Sequence, residues 1–302
     1  MLYMPKWNLN GTSIVDIANL RAFVEVAEAE SFSLAAGHLH LTQPAISKRV
    51  AALESGFGAR LFDRIGRAVQ LTEAGRALLP RAQRILAELE DSRRALSNLT
   101  GHVAGPLSLA TSHHIGLHRL PATLRAFVQR YPEVALDLHF MDSEAACRAV
   151  ETGDFELAVV TLPPEDRPSL ERIAVWEDPL AVVCAPDHPL AERRRVRIED
   201  LAAYPAILPA SSTYTRQIAE QAFHEQGLEL RSSLSTNYLE TIKMLVSVGL
   251  GWSVLPQTMM DRQLYRLPVR RLQVQRTLGI VRHRGRTLSN AARAMMELLR
   301  GK

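Results

Sequence analysis

Residues 20–75 read LRAFVEVAEAESFSLAAGHLHLTQPAISKRVAALESGFGARLFDRIGRAVQLTEAG, and the way this stretch divides decides the fold. Leu20, Phe23, Val24 and Ala27 recur at helical spacing. The segment from Ser33 to Leu39 reads as a short second helix, and Thr42 stands where a side-chain oxygen caps a third. On that third helix, starting near Gln43, the residues Ile46, Val50 and Leu53 share one face, which has to pack on the two helices before it. The opposite face carries Pro44, Ser47, Lys48 and Ala51, with Gln43 at the exposed end. Pro44 is tolerated there because first-turn amides have no helical partner to lose. Gly56 and Gly58 close the helix, and Leu61, Phe62, Val69 and Leu71 suggest two short strands around a turn at Gly66. Three helices followed by such a wing make a winged helix-turn-helix.

The exposed face of the third helix has chemistry that suits a major groove. Gln43 has the amide to bond adenine bidentately, Ser47 and Lys48 reach base edges or phosphates, and the small groups suit a thymine methyl. Arg64 and Arg67 flank the wing turn, where a cation meets phosphate or enters the minor groove.

Outward from this domain, residues 1–16 carry no periodicity and read as an N-terminal arm, so that the DNA-reading domain spans 17–71. Thr72 caps a longer helix over 72–101 in which Leu78, Ala82, Ile85, Leu89, Ser92, Leu96 and Leu99 step by four and three residues. That is the period of a coiled-coil seam, with Leu78, Ile85, Leu89 and Leu96 as dimerisation positions; packing on its own domain is the alternative. Pro80 inside the helix is expected to kink it or weaken its first turns. Gly101 and Gly105-Pro106 then open a linker. From 105 to 302, short apolar runs such as LSLATS, VALDLHF, LAVVT and LGIVRH alternate with helical patterns, which predicts an α/β domain with mainly parallel strands.

The composition excludes several classes. At 302 residues, 47% hydrophobic and 23% charged, the chain fits two globular domains. No run approaches the roughly 18 apolar residues that cross a bilayer, and polar breaks interrupt the N-terminus where a signal peptide needs an apolar run, so the sequence reads as cytoplasmic with no membrane partner. Cys147 and Cys184 stand far apart without ordered histidines, which suggests neither a disulfide framework nor zinc. A net charge of +4 permits nucleic acid without singling it out. There is no GxSxG, HExxH or P-loop, so an enzyme has no visible nucleophile or phosphate cradle, and no cofactor is implied.

The stretch FVEVAEAESFSLAAGHLHLTQPAISKRVAALESGFGARLFDRIGRAVQLTEAG, with its TQPAIS helix start and LFDR wing, resembles the LysR-type transcriptional regulators. The likeness continues more loosely through HPL at 188–190 and GLGWSVLP at 249–256. It implies a dimer built on the helix from Thr72, a tetramer beyond that, promoter DNA and RNA polymerase as partners, and a two-lobed effector domain like the periplasmic binding proteins. Lobe I would take about 105–175 and 272–302, and lobe II about 176–271. Family DNA contacts carried onto matching positions are Ser33, Gln43, Pro44, Ser47, Lys48 and Arg64.

A ligand of such a domain sits between the lobes, at strand carboxyl ends and helix amino ends. Three junctions meet that description: Ser112, His113 and His114; Ser211, Ser212 and Thr213; and Thr236, Asn237 and Tyr238. Thr161 stands just past another strand. Free amides and short hydroxyls at helix starts hold anions, so the expected effector is a small organic acid, although each of these residues also suits a simple N-cap. No metal is expected, because adjacent histidines on a helix point in different directions. A transporter's solute-binding protein or an enzyme on the same α/β domain is the competing reading.

Overall fold

Asp16 starts the described chain by capping α1 (Ile17–Ala29), its carboxylate accepting from Ala18 N at 3.0 Å. The computed structural model describes residues 16–65 and 68–301, so the arm before Asp16, Gly66 and Arg67 lie outside the described residues. Ser31 caps α2 (Phe32–His38) and Thr42 caps α3 (Gln43–Phe57), where Pro44 occupies the first turn and Gly58 closes the C-terminus at φ 64°. Ile46, Val50 and Leu53 are buried against α1 and α2, as their spacing requires. The wing is the antiparallel pair β1 (Phe62–Ile65) and β2 (Ala68–Leu71). It is anchored by Phe62, whose ring lies 5.4 Å from Phe23 and 5.7 Å from Phe32. The Glu54 carboxylate on α3 also accepts from Leu61 N at 2.7 Å, tying the wing to that helix.

Thr72 caps α4 (Glu73–Asn98) through Gly75 N at 3.0 Å. Glycine is required at 75 because a Cβ there would stand 2.2 Å from the carbonyl oxygen of Leu61. The helix runs on through Pro80, since Leu78, Leu79 and buried Ala82 pack its first turns onto the N-terminal core and compensate for the missing amide.

The chain divides into two compact units between Arg93 and Arg94. In the second, β3 (Gly105–Thr111), α5 (His113–His118), α6 (Pro121–Arg130), β4 (Val134–Phe140), α7 (Ser143–Thr152) and β5 (Leu157–Thr161) form the first lobe with α11 (Asn290–Leu299). Its sheet is buried on both faces, by α6 and α11 around Leu107, Phe127 and Met295, and by α7 around Ala146, Cys147 and Val150. The second lobe holds α8 (Ile198–Leu201), β7 (Ile207–Leu208), α9 (Tyr214–His224), β8 (Leu234–Ser235), α10 (Leu239–Ser247), β9 (Ser253–Pro256) and β10 (Tyr265–Arg266).

Two long strands, β6 (Leu170–Cys184) and β11 (Val274–His283), run through both lobes. They pair antiparallel over nearly their whole length, with a register shift between Leu278 and Gly279. This corrects the expectation of mainly parallel strands. Among the described strands of this unit, β3 with β4 and β5, and β7 with β8, are parallel, whereas β11 with β5, and β9 and β10 with β6, are antiparallel. The chain crosses between lobes on β6 and returns on β11, which forces opposite directions.

Candidate functional site

On the N-terminal unit, the outer face of α3 presents Gln43, Pro44 and Lys48 to solvent, with Ser47 half-buried beside them. Gln43 donates to Ser47 Oγ at 2.9 Å, so the two polar groups are pre-arranged as a pair. Ser33 is exposed near the start of α2. Arg64 lies opposite Val69 on the wing, and Arg67 falls outside the described residues. Along α4 the predicted seam splits. Leu78 packs on its own domain and Leu89 is half-buried, whereas Ile85, Leu96 and, just past the end of the helix, Leu99 are 49%, 69% and 82% exposed.

In the C-terminal unit the ends of β3, β5, α7, α9 and α10 meet at a cavity of about 50 Å³ between the lobes. Ser112, His113, His114, Thr161, Thr213 and Asn237 line it, as the strand-end reading anticipates. Ser211 and Ser212 are exposed and do not line it. Thr236 and Tyr238 also stay outside the lining, although the Tyr238 ring packs at 4.8 Å on His113, which in turn lies 5.4 Å from Phe140. The hydroxyls differ in duty. Thr213 is a working N-cap, accepting from Arg216 N and donating to Ala210 O, whereas Ser112 caps α5 without a side-chain hydrogen bond and is left to face the cavity.

The sequence reading misses Asp142, Ser143, Glu144, Thr215 and Arg276, all of which line the cavity. Arg276 is 4% exposed. Its Nε donates to Asp178 at 2.8 Å and its Nη1 to Thr215 Oγ1 at 2.8 Å, while Nη2 is buried with no partner. Arg119 donates to the other Asp178 oxygen at 2.9 Å, so one fully buried carboxylate holds two guanidinium groups. Burial pulls the Arg276 pKa down and Asp178 opposes it. No local signal marks it, because Arg276 stands between Gln275 and Thr277, ahead of the apolar stretch of β11.

Carboxylates of the first lobe close the cavity. Asp142 accepts from Asn237 Nδ2 at 2.7 Å, and Glu144 accepts from the backbone amide of Tyr214 at the start of α9. Burial raises the Glu144 pKa. At the cavity's side, His114 and His118 of α5 stand beside Glu240 of α10 and hold its carboxyl down at about 2, while burial lowers the pKa of His114.

A three-helix domain with a wing, joined by a long helix to a two-lobed α/β unit with a polar interlobe cavity, defines a DNA-binding regulator with a small-molecule-binding domain. The model for the bacterial regulatory helix-turn-helix protein, lysR family, matches residues 17–76, and that for the LysR substrate binding domain matches 100–302. The chain belongs to the LysR family of transcriptional regulators. An uncharacterized HTH-type transcriptional regulator in the ibpB-leuC intergenic region of Azotobacter vinelandii is 70% identical over 107 residues, covering 35% of this chain and 74% of that protein. The RuBisCO operon transcriptional regulator of Allochromatium vinosum is 32% identical over 94% of this chain and 95% of its own. Among solved structures, a full-length OxyR variant from Pseudomonas aeruginosa shares the fold with a TM-score of 0.68 at 23% identity, over 95% of this chain and 94% of that one. Both relatives are named as transcriptional regulators. No helix among the described residues is long and apolar enough to cross a membrane.

Proposed function

We propose that the chain binds a dyad-symmetric promoter site as a dimer through the outer face of α3, and that a small carboxylate in the interlobe cavity switches it. The observation that carries the effector class is Arg276, whose Nη2 is buried without a partner at the cavity. A buried guanidinium N–H left unpaired is costly, and a carboxylate is the group whose geometry matches it best. Ser112 and Thr161 also line the cavity. The exposed Ile85 and Leu96 of α4, with Leu99 just past its end, support α4 as the dimer seam, and an isologous dimer presents two identical α3 helices to a two-fold operator.

The test is a thermal-shift screen of small mono- and dicarboxylates against their neutral amides. An acid that binds stabilises the folded form by about 2.7 kcal/mol at a hundred times its Kd. Arg276→Lys keeps the charge beside Asp178 but removes the guanidinium fork, and is expected to abolish that shift. Equal shifts from acids and amides would contradict the carboxylate assignment.

A further inference from the structure

His114 and His118 are four residues apart on α5, so their rings lie on one helix face, with centroids 4.8 Å apart. Both rings face Glu240, in the first turn of α10 on the other lobe. His118 Nε2 lies 3.0 Å from Glu240 Oε1, and His114 Nδ1 lies 3.5 Å from the same oxygen. One ligand atom from each of the three residues falls within 4.8 Å of the others. His114 is 4% exposed, and neither of its ring nitrogens has a hydrogen-bond partner. A buried imidazole with both nitrogens unpaired calls for an explanation that an ion pair with Glu240 does not supply, because that contact lacks hydrogen-bond geometry.

We propose that His114, His118 and Glu240 form a binding site for a divalent transition-metal ion of the zinc class, which ties the two lobes together beside the effector cavity. Ligands roughly 2.0–2.2 Å from a tetrahedral zinc stand about 3.4 Å from one another, close to the 3.5 and 3.0 Å from the two imidazoles to Glu240, with all three ligand atoms within 4.8 Å. Two imidazoles and one carboxylate are a donor set that zinc, cobalt and nickel accept and that calcium and magnesium, which take oxygen ligands, do not prefer. Three protein ligands leave a fourth position for water or a ligand oxygen. Because α5 belongs to the first lobe and α10 to the second, the ion would hold the cleft closed. The adjacent pair His113 and His114 conceals this site in the sequence, since the partners that matter are four and 126 positions from His114.

The test uses untagged full-length protein stripped with a chelator and dialysed, then titrated with Zn²⁺ against a chromophoric chelator and separately with Co²⁺. One ion per chain is expected, with the intense visible absorption of tetrahedral cobalt. His118→Ala, at an exposed position, and Glu240→Gln are expected to weaken binding by more than the roughly 10–100-fold that loss of an outer-shell partner costs. His139→Ala, which removes an exposed histidine paired with Asp137, is expected to bind as wild type. Circular dichroism confirms that each variant is folded. Binding unaffected by His118→Ala and by Glu240→Gln, or no ion retained by the wild type, would overturn the proposal.

Discussion

Asn237 of the second lobe donates to Asp142 of the first at 2.7 Å, while its own carbonyl oxygen accepts from Ala210 N at 3.0 Å. One side chain therefore fastens the loop before α10 to the start of α9 and both to the opposite lobe. With Glu144 on the Tyr214 amide and His113 packed between Phe140 and Tyr238, it sets the closed arrangement of the cleft. A cavity of about 50 Å³ has room for a few waters or one small anionic group, so a larger effector enters only as these contacts part. The balance between closed and open arrangements is what a ligand biases.

Asn237→Ala is expected to lose both hydrogen bonds, each worth about 0.5–1.5 kcal/mol, and so to destabilise the C-terminal unit by about 1–3 kcal/mol. Urea denaturation followed by tryptophan fluorescence reads this directly, because Trp252 and Trp176 both lie in that unit. An unchanged midpoint would mean that the Asn237 bonds contribute nothing net.

On α3, two substitutions separate reading from folding. Lys48→Ala, at an exposed position, is expected to leave the domain folded and to lower the salt slope of DNA binding by about one, as loss of a phosphate contact does. Ile46→Ala empties a fully buried position and is expected to cost about 2–5 kcal/mol, melting the domain that presents the face. Gel shifts over a salt series, beside thermal melts, check both. An unaltered slope in folded Lys48→Ala would place Lys48 on a base edge instead.

Ile85→Asp combined with Leu96→Asp puts charges where two α4 helices are expected to meet, without touching the core of the single chain. Light scattering at micromolar concentration is expected to show monomers, with operator affinity falling in parallel. Intact dimers would exclude this stripe as the seam.

Burial pushes the thiols of Cys147 and Cys184 up to about 11, so at neutral pH only a minute fraction is thiolate, the form that reacts. Disulfide-exchange reagents are therefore expected to label native protein slowly and unfolded protein at once. Rapid stoichiometric labelling of the native form would contradict the burial of both thiols.

The parts of this molecule that local chemistry fixes are legible in the amino-acid sequence. Thr42, Pro44 and the buried face of α3 can be placed from it because a cap, a first-turn proline and a helical period are short-range signals. Ser112, Thr161 and Asn237 can be placed because strand ends converge in a two-lobed domain. Ser211 and Ser212 have the same residue types one or two positions from Thr213, yet only the capping residue turns inward. What stays hidden depends on chain direction and on distant pairing. An apolar run does not reveal which way its strand points, so the antiparallel crossing of β6 and β11 leaves no local trace, and neither does the position of Arg276 against Asp178. His118 and Glu240 meet across 122 positions, and Leu78 turns onto its own domain although its spacing is that of the seam.

If cleft and DNA are coupled, operator affinity has to depend on ligand. With the carboxylate that gives the largest thermal shift, the operator Kd of full-length protein is measured from zero to saturating ligand, and the ligand Kd with and without operator. Coupling between two sites is reciprocal, so both constants are expected to move by the same factor, about 5–150-fold, and to stop moving in Arg276→Lys. Operator and ligand affinities that stay independent of each other in the wild type would refute the coupling.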